Sequence, residues 1–183
     1  MDPTRLRRIV AACAAAAVLA PILSACGEEP GVDEPAREGL AIDIGGINYN
    51  VFITRELNLA IPPDKDYYSG PAAKPGNALY GIFIQACNIS EDEDRTTTED
   101  FVVEDNQGTE FEPIELEEDN AFAYRKTTLR GNECLPEEGS VAQQGPTAGS
   151  MLLFDFPLEN TENRPLELVV KGGGETKRFE LDI

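Results

Sequence analysis

Apolar residues in this chain alternate with polar ones far more often than they recur at helical spacing. Ile47, Tyr49, Val51 and Ile53 fall on one face of residues 47–54, the period-two signature of a half-buried strand. Residues 78–89, ALYGIFIQACNI, are apolar on both faces and predict a central strand. Phe101–Glu104 and residues 109–114 flank Asp105-Asn106-Gln107-Gly108, a turn signal that predicts a hairpin. A further strand is expected over Ala121–Leu129. Leu152, Phe154, Phe156 and Leu158 line one side of residues 150–158, with Pro157 ending the strand or marking an edge. Leu166–Lys171 and Thr176–Asp182 around Gly172-Gly173-Gly174 predict a terminal hairpin. Between these strands, residues 57–77 carry Pro62, Pro63, Pro71 and Pro75, which excludes helix and central strand and predicts a long ordered loop pinned to the body by Tyr67-Tyr68. Residues 130–149 are a second long loop. About seven to eight strands without a helical period predict an all-β fold, an immunoglobulin-like antiparallel β-sandwich over residues 40–183.

The first 27 residues depart from this pattern. Arg5, Arg7 and Arg8 precede an apolar run from Ile9 to Leu23, shorter than the roughly 20 residues a spanning helix needs. Leu23-Ser24-Ala25-Cys26-Gly27 then resembles the lipobox of bacterial lipoproteins. The resemblance implies a signal peptide over residues 1–25, cleavage before Cys26 and a diacylglycerol on its sulfur. The two acyl chains would suffice for stable anchoring. The expected location is the extracytoplasmic face of the cell membrane, with the bilayer as partner through Cys26. Residues 26–39, acidic and rich in Pro and Gly, are expected to form a flexible linker spanning about 20 Å.

Composition narrows the chemistry. The chain has 15 basic and 34 acidic residues and no His. A field of that sign argues against nucleic acid and anionic headgroups as partners. Without His, Ser-His-Asp and Cys-His catalysis and His-based metal sites are excluded. Ser69 and Lys74 lack any surrounding motif, Gly45-Gly46 and Gly172–Gly174 read as turns, and no cofactor is implied. An enzyme is not expected. Beyond Cys13 and Cys26, Cys87 and Cys134 form an even pair that reads as a structural disulfide in an oxidising compartment. Acidic runs at turns offer Asp92, Asp94, Glu117 and Asp119 as candidate calcium ligands, without EF-hand spacing. Asn88-Ile89-Ser90 fits an N-glycosylation sequon, which reads as chance in a bacterial lipoprotein.

Three segments carry a second resemblance: Asn88-Ile89-Ser90 closing a strong strand, residues 101–111 (FVVEDNQGTEF), and residues 149–157 (GSMLLFDFP). In this order they resemble the DUF4352 (telokin-like) domains of bacterial surface lipoproteins over about residues 47–171. The resemblance implies an immunoglobulin-like sandwich at the cell surface and no general biochemical activity. The expected function is that of a lipid-anchored, non-catalytic binding module for an envelope protein partner. The alternative is a small-ligand or cation-binding lipoprotein with the 57–77 and 130–149 loops as walls of the site. Metabolic labelling with a fatty-acid probe is expected to mark the wild-type chain and to be abolished by Cys26→Ala; label retained by the variant would contradict lipidation at Cys26.

Overall fold

The computed structural model describes residues 29–183, so Cys13, Cys26 and the signal-peptide expectation lie outside the described residues. In chain order the elements are β1 (Ala36–Arg37), β2 (Ala41–Ile44), β3 (Ile47–Glu56), α1 (Asp64–Tyr67), β4 (Asn77–Asn88), β5 (Arg95–Thr96), β6 (Asp100–Glu104), β7 (Glu110–Phe111), β8 (Thr128–Leu129), β9 (Cys134–Leu135), α2 (Val141–Gln144), β10 (Ser150–Pro157), a 3-10 turn (Asn160–Glu162), β11 (Glu167–Gly172) and β12 (Glu175–Glu180). Seven strands have four or more residues and five have two. One sheet runs β1-β12-β11-β6-β7; the other runs β10-β4-β3-β2, with β9 also paired to β4. A third pair, β5-β8, stands apart. No helix among the described residues is long and apolar enough to cross a membrane.

The two large sheets face each other across a core that includes Tyr49, Val51, Ile82, Ile84, Phe154, Phe156, Leu168 and Phe179. The expected central strand is β4, which pairs with β3 on one side and with β10 on the other. Its residues alternate between two apolar environments. Ala78, Tyr80, Ile82 and Ile84 point between the sheets. Leu79 and Phe83 point outward into a second cluster with Leu57, Tyr67, Leu116, Met151 and Leu153. This outer layer explains why β4 and β10 are apolar on both faces. Tyr67 is its keystone, meeting Phe83 and Phe122 edge-on at 4.8 Å in each case. Buried Asp64, which accepts from Asn58 N at 2.9 Å and pairs with Arg55 at 2.6 Å, ties the same loop to β3.

Cys87 and Cys134 are bonded, as expected from the pair. They occupy directly opposed positions on β4 and β9, with their Cα atoms 4.0 Å apart. Their separation of 47 residues corresponds to roughly 4 kcal/mol in the chain-entropy model. The bridge fixes the start of the 130–149 excursion to the central strand. At one end of the sandwich the β2–β3 and β11–β12 turns touch. Gly45 (φ 62°) and Gly173 (φ 58°) are both left-handed, and a Cβ on Gly45 would come within 2.9 Å of Gly173 Cα. Both glycines are required by backbone conformation and by close approach.

Several expectations are corrected, the first being that the 57–77 loop excludes helix: one turn, α1, follows directly on Pro63 at its N-cap. The inward face of β3 stops at Val51, because a bulge between Val51 and Ile53 shifts the register. Ile53 is turned out and 38% exposed, while Thr54 is buried in its place. Ala121–Leu129 is not one strand: only Thr128–Leu129 is, while Tyr124 N donates to Met151 O of β10 at 2.9 Å. Leu158 is exposed, because β10 ends at Pro157. Asn88, the sequon residue, is buried, and its Nδ2 donates to the carbonyls of Glu93, Leu129 and Arg130. That amide is a structural clamp.

The largest correction concerns the linker. Residues 29–39 are docked along the flank where β2 and β12 lie. β1 adds to β12 in parallel, Arg178 N donates to Gly31 O at 2.8 Å, and Ala36 sits in the core at 2% exposure. Glu38 ties β3 to the segment that follows β12: its carboxylate accepts from Thr54 N and from Asp182 N, each at 3.1 Å. Lys177 shares the inward face of β12 with Phe179, is 4% exposed, and pairs with Glu29. A buried cation needs such a partner. The folded domain therefore begins by Glu29, about ten residues before the expected start.

Asp105 organises the β6–β7 turn. Its buried carboxylate accepts from Gln107 N and Thr109 N at 2.9 Å, and from the side-chain amides of Asn160 and Asn163 at 3.0 Å. Burial alone would raise its pKa, but these donors outweigh that and hold it well below the usual carboxylate range. A carboxyl whose folded pKa is depressed stabilises the fold above its unfolded pKa of about 4, and this contribution is lost as pH falls toward the folded value. Asp105→Asn would set an amide N–H against the Asn160 and Asn163 donors. It is expected to cost about 2 kcal/mol near pH 7 and to remove part of the stability loss below pH ~4, both measurable by urea unfolding across pH. A variant as stable as wild type at pH 7 would contradict this account. The outer layer is tested by Phe83→Ala, expected to cost about 3–5 kcal/mol. Ile53→Ala, by contrast, is expected to stay within about 0.5 kcal/mol because the bulge has turned that side chain out; equal costs would place the bulge wrongly.

Candidate functional site

At the flank opposite β2 and β12, where β6 and β10 lie, the two sheets are joined by a crossing segment and not by packed strands. β6 pairs with β11 along residues 100–104 but with β7 only at Val103 and Glu104. β7 ends at Phe111. Pro113 has no N–H to continue the ladder, and Ile114 N donates instead to Leu153 O of β10 at 2.6 Å. The chain thus changes sheets between Phe111 and Ile114.

This switch leaves β6 without a strand partner at Phe101 on the β7 side, although Phe101 is itself buried at 3% exposure. Asp105 N donates to Thr109 O, toward β7. Antiparallel alternation then points the backbone groups of Val103 and Phe101 the same way. The other side agrees: Asp100 N and Lys171 O of β11 both bond the Thr98 hydroxyl. Val103 finds Phe111, but no strand pairs with Phe101 on the β7 side. Beside this edge opens a cleft of about 420 Å³. Phe101, Ile114, Leu116, Tyr124, Met151 and Leu152 line its walls, with Glu99, Glu115, Arg125 and Lys126 at the rim.

The rim cations are already engaged. Arg125 donates to the carbonyls of Leu116 (3.0 Å) and Glu117, and Lys126 pairs with Glu99 at 2.9 Å. Glu115 is exposed and has no ion-pair partner among the described residues. Two carboxylates and two cations leave the rim with no net formal charge, because the carbonyls that Arg125 bonds do not neutralise it. One wall is held rigid by two tyrosines that clamp Thr98: Tyr124 OH donates to its carbonyl at 2.9 Å, and Tyr49 OH accepts from its N–H at 2.8 Å. Burial raises the pKa of both phenols, so both stay neutral and serve as hydrogen-bonding groups only. Tyr124 also meets Phe101 edge-on at 4.9 Å.

The expected site residues are dispersed. Asp92, Asp94, Glu117 and Asp119 are all exposed at separate turns. Among the described residues no group of three or more His, Cys, Asp or Glu side chains is arranged to hold a metal ion. The 57–77 and 130–149 loops do approach each other, with Thr147 Oγ1 donating to Tyr67 OH at 3.3 Å. Tyr67 and Phe122 fill the space between them, so these loops wall a packed layer instead of a cavity. Ser69 is exposed, and Lys74 lies 3.9 Å from Asp155, not beside a nucleophile. Sequence reasoning missed the β6 edge. The one local signal was Pro113, which could have shown that the return strand stops early.

No family model and no curated protein sequence matches the chain. Two solved structures are similar to it. The yjhA protein from Bacillus subtilis aligns over 81% of this chain and 100% of its own, with TM-score 0.49 and 11% identity. An uncharacterized beta-sandwich protein from Clostridium difficile 630 aligns over 81% of this chain and 95% of its own, with TM-score 0.48 and 13% identity.

Proposed function

We propose that this chain is a lipid-anchored, extracytoplasmic, non-catalytic binding module, of the telokin-like lipoprotein kind, whose β6/β10 cleft takes up an extended segment of a protein partner. The observation that carries this reading is the apolar-walled cleft at the point where the chain leaves β7 for β10. An extended segment lying in the cleft would place one apolar side chain against Tyr124 and Leu152. The acidic chain, with Glu115 at the rim free of an ion-pair partner among the described residues, favours a segment that carries basic residues. Anchoring through Cys26 rests on the lipobox, and the acidic, His-free composition supports a binding role over catalysis. A second reading, uptake of a small amphipathic molecule, is favoured by the cleft volume of about 420 Å³, which lies within the usual range of ligand pockets.

The test is a pull-down from envelope extract of the source cell with residues 29–183 as bait, in three forms. Wild type and Asp92→Lys, whose exposed change lies outside the cleft, are expected to retain the same stoichiometric protein. The double variant Glu99→Lys/Glu115→Lys is expected to weaken its capture at least tenfold, read by titration of the purified partner. Equal capture by all three forms would place the binding surface elsewhere. No partner, together with a ligand-induced rise in melting temperature, would favour the small-molecule reading.

A further inference from the structure

We propose that the docked N-terminal segment holds the domain close against the bilayer in one orientation, with the β2/β12 flank toward the lipid and the β6/β10 cleft facing away. This rests on lipid attachment at Cys26. Only Gly27 and Glu28 separate that cysteine from Glu29, the first residue tied to the domain. Three residue steps span at most about 10 Å even when fully extended. A free linker of a dozen residues would let the domain tumble, whereas a segment paired to β12 and tied by Arg178, Lys177 and the buried Ala36 cannot. The same flank carries exposed apolar side chains that the fold does not use. Val32 is 46% and Leu40 is 53% exposed, and both lie on this segment or next to it. An apolar side chain beside a lipid anchor gains by entering the headgroup region. The cleft lies across the sheet from this flank. The four strands β10-β4-β3-β2, at strand spacing, put the two flanks about 15 Å apart.

The experiment uses the full-length, lipidated protein in phosphatidylcholine vesicles that contain a short-range headgroup quencher. A fluorophore is carried on an unnatural amino acid at position 32 in one preparation and at position 115 in the other. Quenching at position 32 is expected to exceed that at position 115 at least twofold. Inserting twelve Gly/Ser residues between Glu28 and Glu29 is expected to bring the two positions close to equality. Equal quenching in the vesicle-bound protein without the insertion would overturn the orientation. An asymmetry unchanged by the insertion would overturn the short leash as its cause. A chain that takes up no fatty acid and does not float with the vesicles would overturn the lipid anchor, and this proposal with it.

Discussion

Burial of β4 on both faces is the constraint from which the rest of the architecture follows. A strand with Ile82 and Ile84 on one side and Leu79 and Phe83 on the other cannot sit in a two-layer sandwich with one face wet. Its outer face needs a cover. The long connections supply one: the 57–77 loop brings Leu57 and Tyr67, and the segment after β7 brings Leu116 and Ala123. The second of these must leave the first sheet to reach its place. That departure, at Pro113, strips β6 of its neighbour at Phe101 and opens the cleft. The candidate site is thus the reverse side of the solution to a packing problem, which is why it lies on a rigid part of the fold.

The two flanks of the sandwich end in opposite ways. On the β2/β12 side the main chain closes the gap itself. Ala36 sits in the core, β1 pairs with β12, and the Glu38 carboxylate links the amide of Thr54 in β3 to that of Asp182 just after β12. Free N–H and C=O groups on a sheet edge invite association, and a short covering strand is one established way to prevent it. On the β6/β10 side the crossing segment bonds only at intervals, through Ile114, Phe122 and Tyr124, and Pro157 ends β10 without an N–H to offer. The N-terminal segment covers part of one flank, whereas at the other the crossing chain leaves a cleft.

Elements whose structure follows from side-chain alternation were readable. The strands around Tyr49, Ile82, Phe101, Phe154 and Val170 lie where period-two burial places them. The glycine turns and the Cys87–Cys134 pair were readable for similar local reasons. Failures came where backbone bonding decided the outcome. The bulge at Val51 reverses the facing of Ile53 without any change in residue type. The acidic N-terminal segment lacks apolar periodicity, yet it docks through carbonyls, a carboxylate and one small side chain. Composition-based disorder arguments ask whether a segment can bury enough apolar surface alone; this one adds to a core built by others. The cleft was illegible for a third reason, since it is made where a strand stops and no residue pattern encodes an absent neighbour.

The carboxylates sharpen that distinction between composition and placement. With 34 acidic residues, net charge alone suggests cation binding. Yet the buried carboxylates Asp64 and Asp105 and the half-buried Glu38 each face donors of the chain itself: a backbone amide and an arginine for Asp64, two amides and two asparagines for Asp105, two backbone amides for Glu38. A carboxylate so satisfied has little left for a metal, because calcium would have to displace donors already in place. The acids at the 91–94 and 117–119 turns are exposed and dispersed, with Glu93 paired to Arg95. Glu115 is exposed, has no ion-pair partner among the described residues and is set at the mouth of the β6/β10 cleft. Charge at that position acts on whatever approaches the cleft, and there the acidity of this chain bears on selection of a partner.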